Sequence, residues 1–403
     1  MKRRVGAAIA ILAIAVACTA GAPEGPSGAL PSGDGLGTVG GDRLLVLMDD
    51  GSVVTTGPDG GAIRSLAPGG GVDVEVRHPI WSPDGHMVAW AEFEQGEEGP
   101  ASRLVTSDPA GRGRTVFPVN TATFFLQWDP TSSRIAYLGN FGGSIGMGVA
   151  ERGDDGAPTA RTIGRGQPFY LSWSPEGDRL LIHVGDDTLG TLDLEGNLEA
   201  IADQPAIFQA PVWLPDGRMV YAASVDEHQA LVVRDEVRAR ELVSYEGAIE
   251  FVVSPDGKRV AYRVSDGGGI GGVSVVRLGS ARSRRITEVP TSAFHWSPDG
   301  SRLLLMTQEE GDPGTHRWMV WDGESTTRIG LAFLPSPTFL RDYVPFYGQF
   351  AQSMTPWSPE GTAFAFPALI DDRAGIWVQD LDAEEPAFVL EGGRVVAWSP
   401  ATS

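Results

Sequence analysis

Residues 81–85 read W-S-P-D-G, and this motif decides the fold because it returns along the whole chain. Related copies begin at seven further positions, namely Trp128, Trp173, Trp213, Val253, Trp296, Trp357 and Trp398. Six of the seven steps between copies are 40–47 residues long, and the remaining step, from Trp296 to Trp357, is 61 residues. A period in the forties is typical of a four-stranded propeller blade. We therefore predict an all-β propeller of about eight four-stranded blades.

Each motif joins turn residues to a run of strand-forming residues. Proline presets φ for the first corner of a turn, and glycine accepts the positive φ that closes a hairpin. Residues 87–90 (MVAW) and 259–262 (RVAY) follow two of the motifs and have the composition of short strands. We expect the motif tryptophans to pack between neighbouring blades, where their large apolar area is buried.

The two ends of the chain supply complementary parts of one blade. Residues 394–397 read as a strand before the last motif, and only three residues follow Pro400. Residues 43–48, 52–56 and 62–66 read as three strands near the other end of the chain. One blade should combine these four strands, because pairing the terminal strands removes exposed sheet edges. Seven blades are the alternative if the divergent copy at Trp128 does not form a full blade.

The motif resembles the PD40 repeat, a WD40-like, TolB-type β-propeller repeat, with close copies at residues 79–85 and 296–300. The resemblance covers about residues 42–400 and implies the propeller fold. Relatives with such repeats include periplasmic proteins of the Tol system, propeller domains of prolyl peptidases and some lyases. We expect this chain to carry neither the N-terminal domain of TolB nor the hydrolase domain of the peptidases. The resemblance therefore implies a fold and does not transfer a function.

Residues 1–17 have the features of an export signal. A basic start at residues 2–4 precedes an apolar run of 13 residues, which is too short to span a bilayer. The run ends in A-V-A before Cys18, the one cysteine of the chain, and resembles a bacterial lipobox. We predict that lipidated Cys18 anchors the protein to the outer face of the cell membrane, or to the periplasmic side of a bacterial membrane. An ordinary secretory signal cleaved nearby is the alternative.

The rest of the chain divides into a tether and a folded body. Residues 18–41 are rich in Gly, Pro, Ala and Ser, and they hold too few large apolar groups to offset the entropy of folding. We predict that this stretch is a flexible tether and that residues 42–403 form the propeller.

Composition limits the partners. The formal net charge is −21, from 31 basic and 52 acidic residues, and such a surface repels phosphate backbones. We expect no nucleic acid as a partner and membrane contact through the lipid anchor only. The expected partner is a protein, a peptide or an envelope component, and we expect the chain to be monomeric.

No sequence pattern indicates catalysis or metal binding. Residues 142–146 match G-x-S-x-G, but a strand-like run follows where a nucleophile elbow requires a helix. The six histidines show no local metal-ligand spacing, and we expect His86 and His295, beside predicted turns, to have surface or packing roles. Acid pairs such as Asp49-Asp50 and Asp371-Asp372 read as solvated loops. We predict no cofactor, no metal and no catalytic residue.

The 61-residue step contains an insertion, residues 330–352, that is rich in aromatic residues. Insertions in repeat proteins map to one face and often carry binding. The residues proposed for an interaction are Phe333, Phe339, Arg341, Tyr343, Phe346 and Tyr347. The alternative is an Ω-like loop or short helix that buries its own aromatic side chains against the blade.

These observations favour a non-catalytic function. We predict an exported, lipid-anchored β-propeller that binds a protein, peptide or envelope ligand. The alternative is an extracytoplasmic lyase or hydrolase whose site lies at the central channel.

Overall fold

The computed structural model describes residues 42–69, 74–96, 99–119, 121–141, 143–206, 209–265 and 270–400. These residues belong to one of two units of the chain, Val39–Ser403. The predicted signal peptide, Cys18 and the predicted tether lie outside the described residues.

The described residues form antiparallel sheets, and we name each sheet after the motif residue that ends its first strand. The Trp398 sheet contains β1 (Leu44–Met48), β2 (Val53–Thr56), β3 (Arg64–Ala67) and β32 (Gly393–Trp398). The Trp81 sheet contains β4 (Val74–Trp81), β5 (Val88–Gly96), β6 (Gly99–Ser107) and β7 (Thr115–Phe117). The Trp128 sheet contains β8 (Ala122–Trp128), β9 (Arg134–Asn140), β10 (Ile145–Arg152) and β11 (Pro158–Arg165). The Trp173 sheet contains β12 (Phe169–Trp173), β13 (Arg179–Val184), β14 (Thr188–Asp193) and β15 (Leu198–Ala200).

The second half of the chain repeats this plan with variations. The Trp213 sheet contains β16 (Gln204–Pro205), β17 (Val212–Trp213), β18 (Met219–Val225), β19 (His228–Arg234) and β20 (Ala239–Tyr245). The Val253 sheet contains β21 (Ala248–Val253), β22 (Arg259–Ser265), β23 (Ser274–Arg277) and β24 (Ser283–Arg285). The Trp296 repeat contains β25 (Thr291–Trp296), β26 (Leu303–Glu309), β27 (Asp312–Trp321) and β28 (Thr326–Pro335). The Trp357 repeat contains β29 (Ala363–Ile370), β30 (Arg373–Asp380) and β31 (Ala387–Glu391).

The terminal strands pair as the sequence predicted. Strand β1 runs antiparallel to β32, with Val46 opposite Val396, and the sheet has the order β3-β2-β1-β32. The hydroxyl oxygen of Ser399 extends this contact by accepting hydrogen bonds from the backbone N–H groups of Asp42 (3.1 Å) and Arg43 (3.0 Å). The predicted closure through one shared sheet is therefore confirmed.

Two repeats share one sheet. Strand β28 extends far enough to pair with β29, where Leu334 lies opposite Leu369, so β25–β31 form one seven-stranded sheet. Trp357 contributes a single bridge, to Phe364, in place of a first strand. Because this sheet can be counted as one blade or two, the number of eight blades stays a prediction. The divergent Trp128 copy, in contrast, begins at the end of the first strand of a complete four-stranded sheet.

The motif turns are held by the serine and acid that the sequence repeats. In one copy the Ser297 hydroxyl donates to Asp299 at 2.6 Å and accepts the backbone N–H of Arg302 at 2.9 Å. Gly300 closes the turn with φ of +67°, a conformation that glycine adopts without steric cost. The divergent copy places Ser132 at this position with φ of +60°. The same turn therefore forms in both copies, and a residue other than glycine can occupy its last position.

The motif tryptophans join neighbouring repeats by a recurring hydrogen bond. In four copies the indole Nε1 donates to the carbonyl oxygen of the residue just before the motif of the preceding repeat. These bonds are Trp81 to Ala397 (3.3 Å), Trp173 to Gln127 (3.2 Å), Trp296 to Val252 (3.0 Å) and Trp357 to His295 (3.0 Å). The expected packing of these tryptophans between sheets is therefore confirmed, with a polar contact added to it.

Neighbouring motif turns also touch one another, which places them on one side of the ring. The Arg302 guanidinium donates to the carbonyl oxygen of Gly361 in the next motif at 3.1 Å, and Arg134 reaches Gly177 in the same way at 3.3 Å. We call this side the motif face. The fully described hairpins that join second and third strands lie on the side opposite to it, because the strands alternate in direction.

Candidate functional site

One stretch between β28 and the Trp357 motif departs from the repeat. We call residues 336–355 the central segment. It contains a π-helical turn (Phe339–Tyr343), a 3-10 turn (Val344–Phe346) and an α-helical turn (Tyr347–Phe350). In the Trp357 repeat, this segment takes the place of the first strand. For that reason Trp357 forms a single bridge and does not end a strand.

Gln349 ties the central segment to the Trp173 sheet. Its side-chain oxygen accepts the backbone N–H of Leu171 at 2.9 Å, and its side-chain nitrogen donates to the Leu171 carbonyl oxygen at 2.9 Å. Leu171 lies in β12, which pairs with β13 and with no other strand in the described ranges. The side-chain amide of Gln349 therefore satisfies the backbone N–H and C=O groups of Leu171, which face the free edge of this strand.

Aromatic side chains of the central segment pack on two other first strands. The Tyr343 ring stacks on His78 of β4 with ring centroids 5.9 Å apart, and Phe350 lies 4.8 Å from the same ring. Phe350 also meets Phe125 of β8 edge-on at 5.4 Å. Burial in this cluster lowers the pKa of His78 to about 3, and its Nε2 lies 3.2 Å from the carbonyl oxygen of Leu126. His78 is therefore a neutral packing residue.

An ion pair between buried Arg263 and half-buried Glu250 faces the central segment from the Val253 sheet. The guanidinium of Arg263 pairs with the Glu250 carboxylate and donates to the carbonyl oxygen of Thr291. It lies over the Tyr347 ring at 5.5 Å, and that ring meets Phe294 at 4.9 Å. Burial raises the pKa of the Glu250 carboxyl, and Arg263 partly opposes that change. The cation–π contact adds to the apolar packing that holds Tyr347.

Polar contacts fix both ends of the central segment. The Ser336 hydroxyl donates to the carbonyl oxygen of Arg394 in β32 at 2.6 Å. Gln352 donates to the carbonyl oxygen of Pro211, just before β17, at 3.3 Å. Together with the contacts to β4, β8, β12, β21 and β25, these bonds connect the central segment to the first strands of most sheets, or to residues beside those strands. The central segment therefore fills the space that the first strands surround.

The structure separates the residues proposed from the insertion into buried and exposed groups. Phe333, Tyr343 and Tyr347 are buried, and Phe339 is half-buried. Phe346 is 50% exposed. Arg341 is exposed and pairs with Asp342 at 2.6 Å. An interaction through this segment would therefore use Phe346, Arg341 and Asp342, while the buried aromatic residues hold the segment in place.

Two cavities adjoin the central segment, and His295 lines both. One, of about 300 Å³, opens among the motif residues Trp296, Pro298 and Trp357. The other, of about 40 Å³, lies among aromatic residues that include Trp318. The imidazole of His295 forms no hydrogen bond with any described residue, and burial lowers its pKa to about 4. His295 is the penultimate residue of the first strand β25, directly before the Trp296 motif, so it lies beside the motif turn as the sequence suggested.

The other motifs considered in the sequence have structural explanations. Ser144 of the G-x-S-x-G match precedes strand β10, and no helix follows it there; Gly142 lies outside the described residues. His183 is buried, with Nδ1 3.0 Å from the carbonyl oxygen of Gln209. Within the described ranges, no group of three or more His, Cys, Asp or Glu side chains could hold a metal ion.

Acidic hairpins lie on the face opposite the motif turns. Exposed acids occur in five of the hairpins between second and third strands: Asp49-Asp50, Asp186-Asp187, Asp226-Glu227, Glu310 and Asp371-Asp372. None of these carboxylates forms an ion pair with another described residue. The repeat thus gathers acids that are scattered in the sequence onto one face, where they give a negative potential.

No helix in the described part of the chain is long and apolar enough to cross a membrane.

Comparison with known proteins agrees with this architecture. No protein-family model matches the chain. A curated relative, the Tol-Pal system protein TolB of Anaeromyxobacter dehalogenans, is 32% identical over 106 residues. The match covers 25% of this chain and 24% of that protein, so it spans about a quarter of each.

Solved structures share the fold at low sequence identity. A eukaryotic initiation factor has a TM-score of 0.55 at 9% identity, covering 90% of this chain and 99% of that one. The propeller domain of the Trilobed protease from Pyrococcus furiosus has a TM-score of 0.51 at 12% identity, covering 79% and 99%. An oligogalacturonate lyase in complex with manganese has a TM-score of 0.52 at 14% identity, covering 85% and 98%. At these identities the likeness shows the fold alone.

The repeated motif, the closed arrangement of sheets and these likenesses define the class of protein. The chain carries a TolB-like β-propeller of the WD40/PD40 type. The resemblance stated from the motif is therefore confirmed at the level of the fold.

Proposed function

We propose that this chain is an exported, lipid-anchored β-propeller that binds a protein, peptide or envelope component and catalyses no reaction in its channel. The observation that carries this proposal is the central segment. Its side chains occupy the space among the first strands, through contacts such as Gln349 to Leu171 and Tyr343 to His78. A ligand would therefore meet the faces of the ring.

The enzyme alternative would need that same space. A lyase or hydrolase site at the channel requires a substrate to lie where Tyr347 and Phe350 now pack. The likeness to the oligogalacturonate lyase concerns the fold only. The proposal of a binding module therefore fits the packing of the channel better.

An envelope location is supported by the signal-like N-terminus and by the curated relative, a Tol-Pal system protein. A lipid on Cys18 would hold the propeller at the membrane surface through residues 18–41. Metabolic labelling with an alkyne fatty acid, in wild type and Cys18→Ser, tests this part. Label on wild type alone is expected, and an unlabelled wild type would contradict the anchor.

The exposed part of the central segment is the proposed contact for a partner. Phe346 offers apolar area beside the charged pair of Arg341 and Asp342. Val237 is 87% exposed in the hairpin between β19 and β20, well apart in sequence, and supplies a matched control.

The test compares partner recovery after crosslinking in cells for wild type, Phe346→Ser with Arg341→Glu, and Val237→Ser. A partner recovered with wild type and Val237→Ser, and reduced at least tenfold in the double variant, is expected. Equal recovery with all three proteins would remove the central segment from the interface. Absence of any specific partner with wild type would contradict the binding function itself.

A further inference from the structure

The larger cavity beside the central segment has the composition of a ligand site. Its walls come from successive motifs, including Trp296, Pro298, Trp357 and Pro400, and from Met354 of the central segment. No charged side chain occurs among the described residues that line it. Pockets for small ligands are mostly apolar, have volumes from roughly 300 Å³ upward and carry few polar groups. At about 300 Å³ this cavity reaches that range.

His295 is a polar group of this cavity whose side chain forms no hydrogen bond with a described residue. Its backbone carbonyl is fixed by the indole of Trp357 at 3.0 Å, while its imidazole has no hydrogen-bond partner among the described residues. A neutral imidazole has one donor nitrogen and one acceptor nitrogen. Thr355, which also lines the cavity, already accepts the backbone N–H of Trp357 through its hydroxyl oxygen. A ligand in the cavity could therefore hydrogen-bond to the His295 imidazole without displacing a partner among the described residues.

The size and lining of the cavity indicate the chemistry of that ligand. An apolar cavity of roughly 150 Å³ holds benzene, so about 300 Å³ has room for a bicyclic ring. The thioether of Met354 and the apolar ring of Pro298 suit the face of an aromatic molecule. A charged group would lose its hydration without gaining an ion pair.

We propose that this cavity binds a small, uncharged aromatic molecule with one hydrogen-bonding group, which pairs with the imidazole of His295. The site lies on the motif face and uses residues distinct from Phe346 and Arg341. It is therefore independent of the partner-binding function proposed above.

The experiment titrates the full-length protein with 5-fluoroindole and observes the ¹⁹F signal by NMR. Saturable binding is expected for wild type and for the matched control His86→Ala, in which an exposed histidine is removed. His295→Ala should bind about tenfold more weakly, because the indole N–H loses its partner. Ala351→Phe, which fills the cavity from its lining, should abolish binding.

A comparison of two probes keeps the test independent of variant folding. Naphthalene is a bicyclic aromatic molecule of similar size without the N–H group, so it should compete for the wild-type site at least fivefold more weakly than indole. The two probes should compete equally in His295→Ala. No saturable binding to wild type, or binding to His295→Ala that equals wild type for both probes, would overturn the proposal.

Discussion

The indole nitrogen of Trp296 lies 3.0 Å from the carbonyl oxygen of Val252, the residue immediately before the motif of the preceding sheet. The same relationship links Trp173 to Gln127. Each bond joins two sheets that share no strand ladder, so the motif residue contributes to the ring as well as to its own turn.

Trp296→Phe should lower the free energy of unfolding by about 1–3 kcal/mol, because the carbonyl of Val252 is left buried without a donor. Trp213→Phe is the matched control. Its half-buried indole donates to Gly217 of its own turn, so the loss should be smaller. Urea unfolding measures the free energy of unfolding of both variants, and the two losses are compared with the same dependence on urea concentration for both. Equal losses would show that the bond between sheets adds nothing beyond apolar burial.

Gln349→Ala should open the edge of β12. The variant leaves the N–H and C=O groups of Leu171 without the side-chain amide, and each lost bond costs about 1–3 kcal/mol where no water replaces it. Hydrogen exchange at the Leu171 amide should accelerate strongly. Gln352→Ala removes a single, longer bond to Pro211 and should leave that amide protected. Unchanged exchange at Leu171 in the first variant would contradict the contact.

Removal of β32 should convert the propeller into an associating protein. Deleting residues 393–403 leaves β1 with an unpaired edge, and such edges pair with other chains. Light scattering after gel filtration should show dimers or larger species at micromolar concentration. Deleting residues 401–403 alone is the control, and this variant should have the same oligomeric state as wild type. A monomeric protein after the larger deletion would argue against closure by β1 and β32.

The motif acid Asp299 should make stability depend on acid pH. Burial acts to raise the pKa of this carboxyl, but hydrogen bonds from Ser297 and from the backbone N–H of Ser301 lower it to about 2. A lowered pKa in the folded state stabilises the protein above the unfolded value near 4, and the gain is lost as pH falls toward 2. The stability difference between wild type and Asp299→Asn should therefore shrink from pH 5 to pH 2.

The control for this pH dependence removes the serine donor. In a Ser297→Ala background the further change Asp299→Asn should show a weaker dependence on pH, because one hydrogen bond that lowers the pKa is gone. Parallel curves in the two backgrounds would show that Ser297 does not contribute.

The repeat made most of the fold predictable, because its chemistry is local. The turn at residues 297–300 needs only the residues that form it. The strand after it is predicted by the run of strand-forming residues that follows the motif. The closure by β1 and β32 could be predicted because the strands missing from one end were present at the other. Local patterns also placed the exposed acid pairs, such as Asp371-Asp372, in turns.

The site was less predictable, because it depends on contacts between distant sheets. The aromatic residues of the insertion were evident, but their division into buried Tyr343 and exposed Phe346 depends on His78 and its neighbours. Gln349 carried no signal, since its partner is a backbone 178 residues away. His295 was read as a residue beside a turn, and its role as a cavity wall arises from the Trp357 motif and the central segment.

The central segment also bears on how the protein unfolds. Linear repeat proteins lose their units one after another, because each unit touches only its neighbours. Here a single stretch of chain contacts residues as far apart in sequence as His78 and Arg394. No partial ring can offer all of these contacts, so the propeller should melt in one cooperative transition.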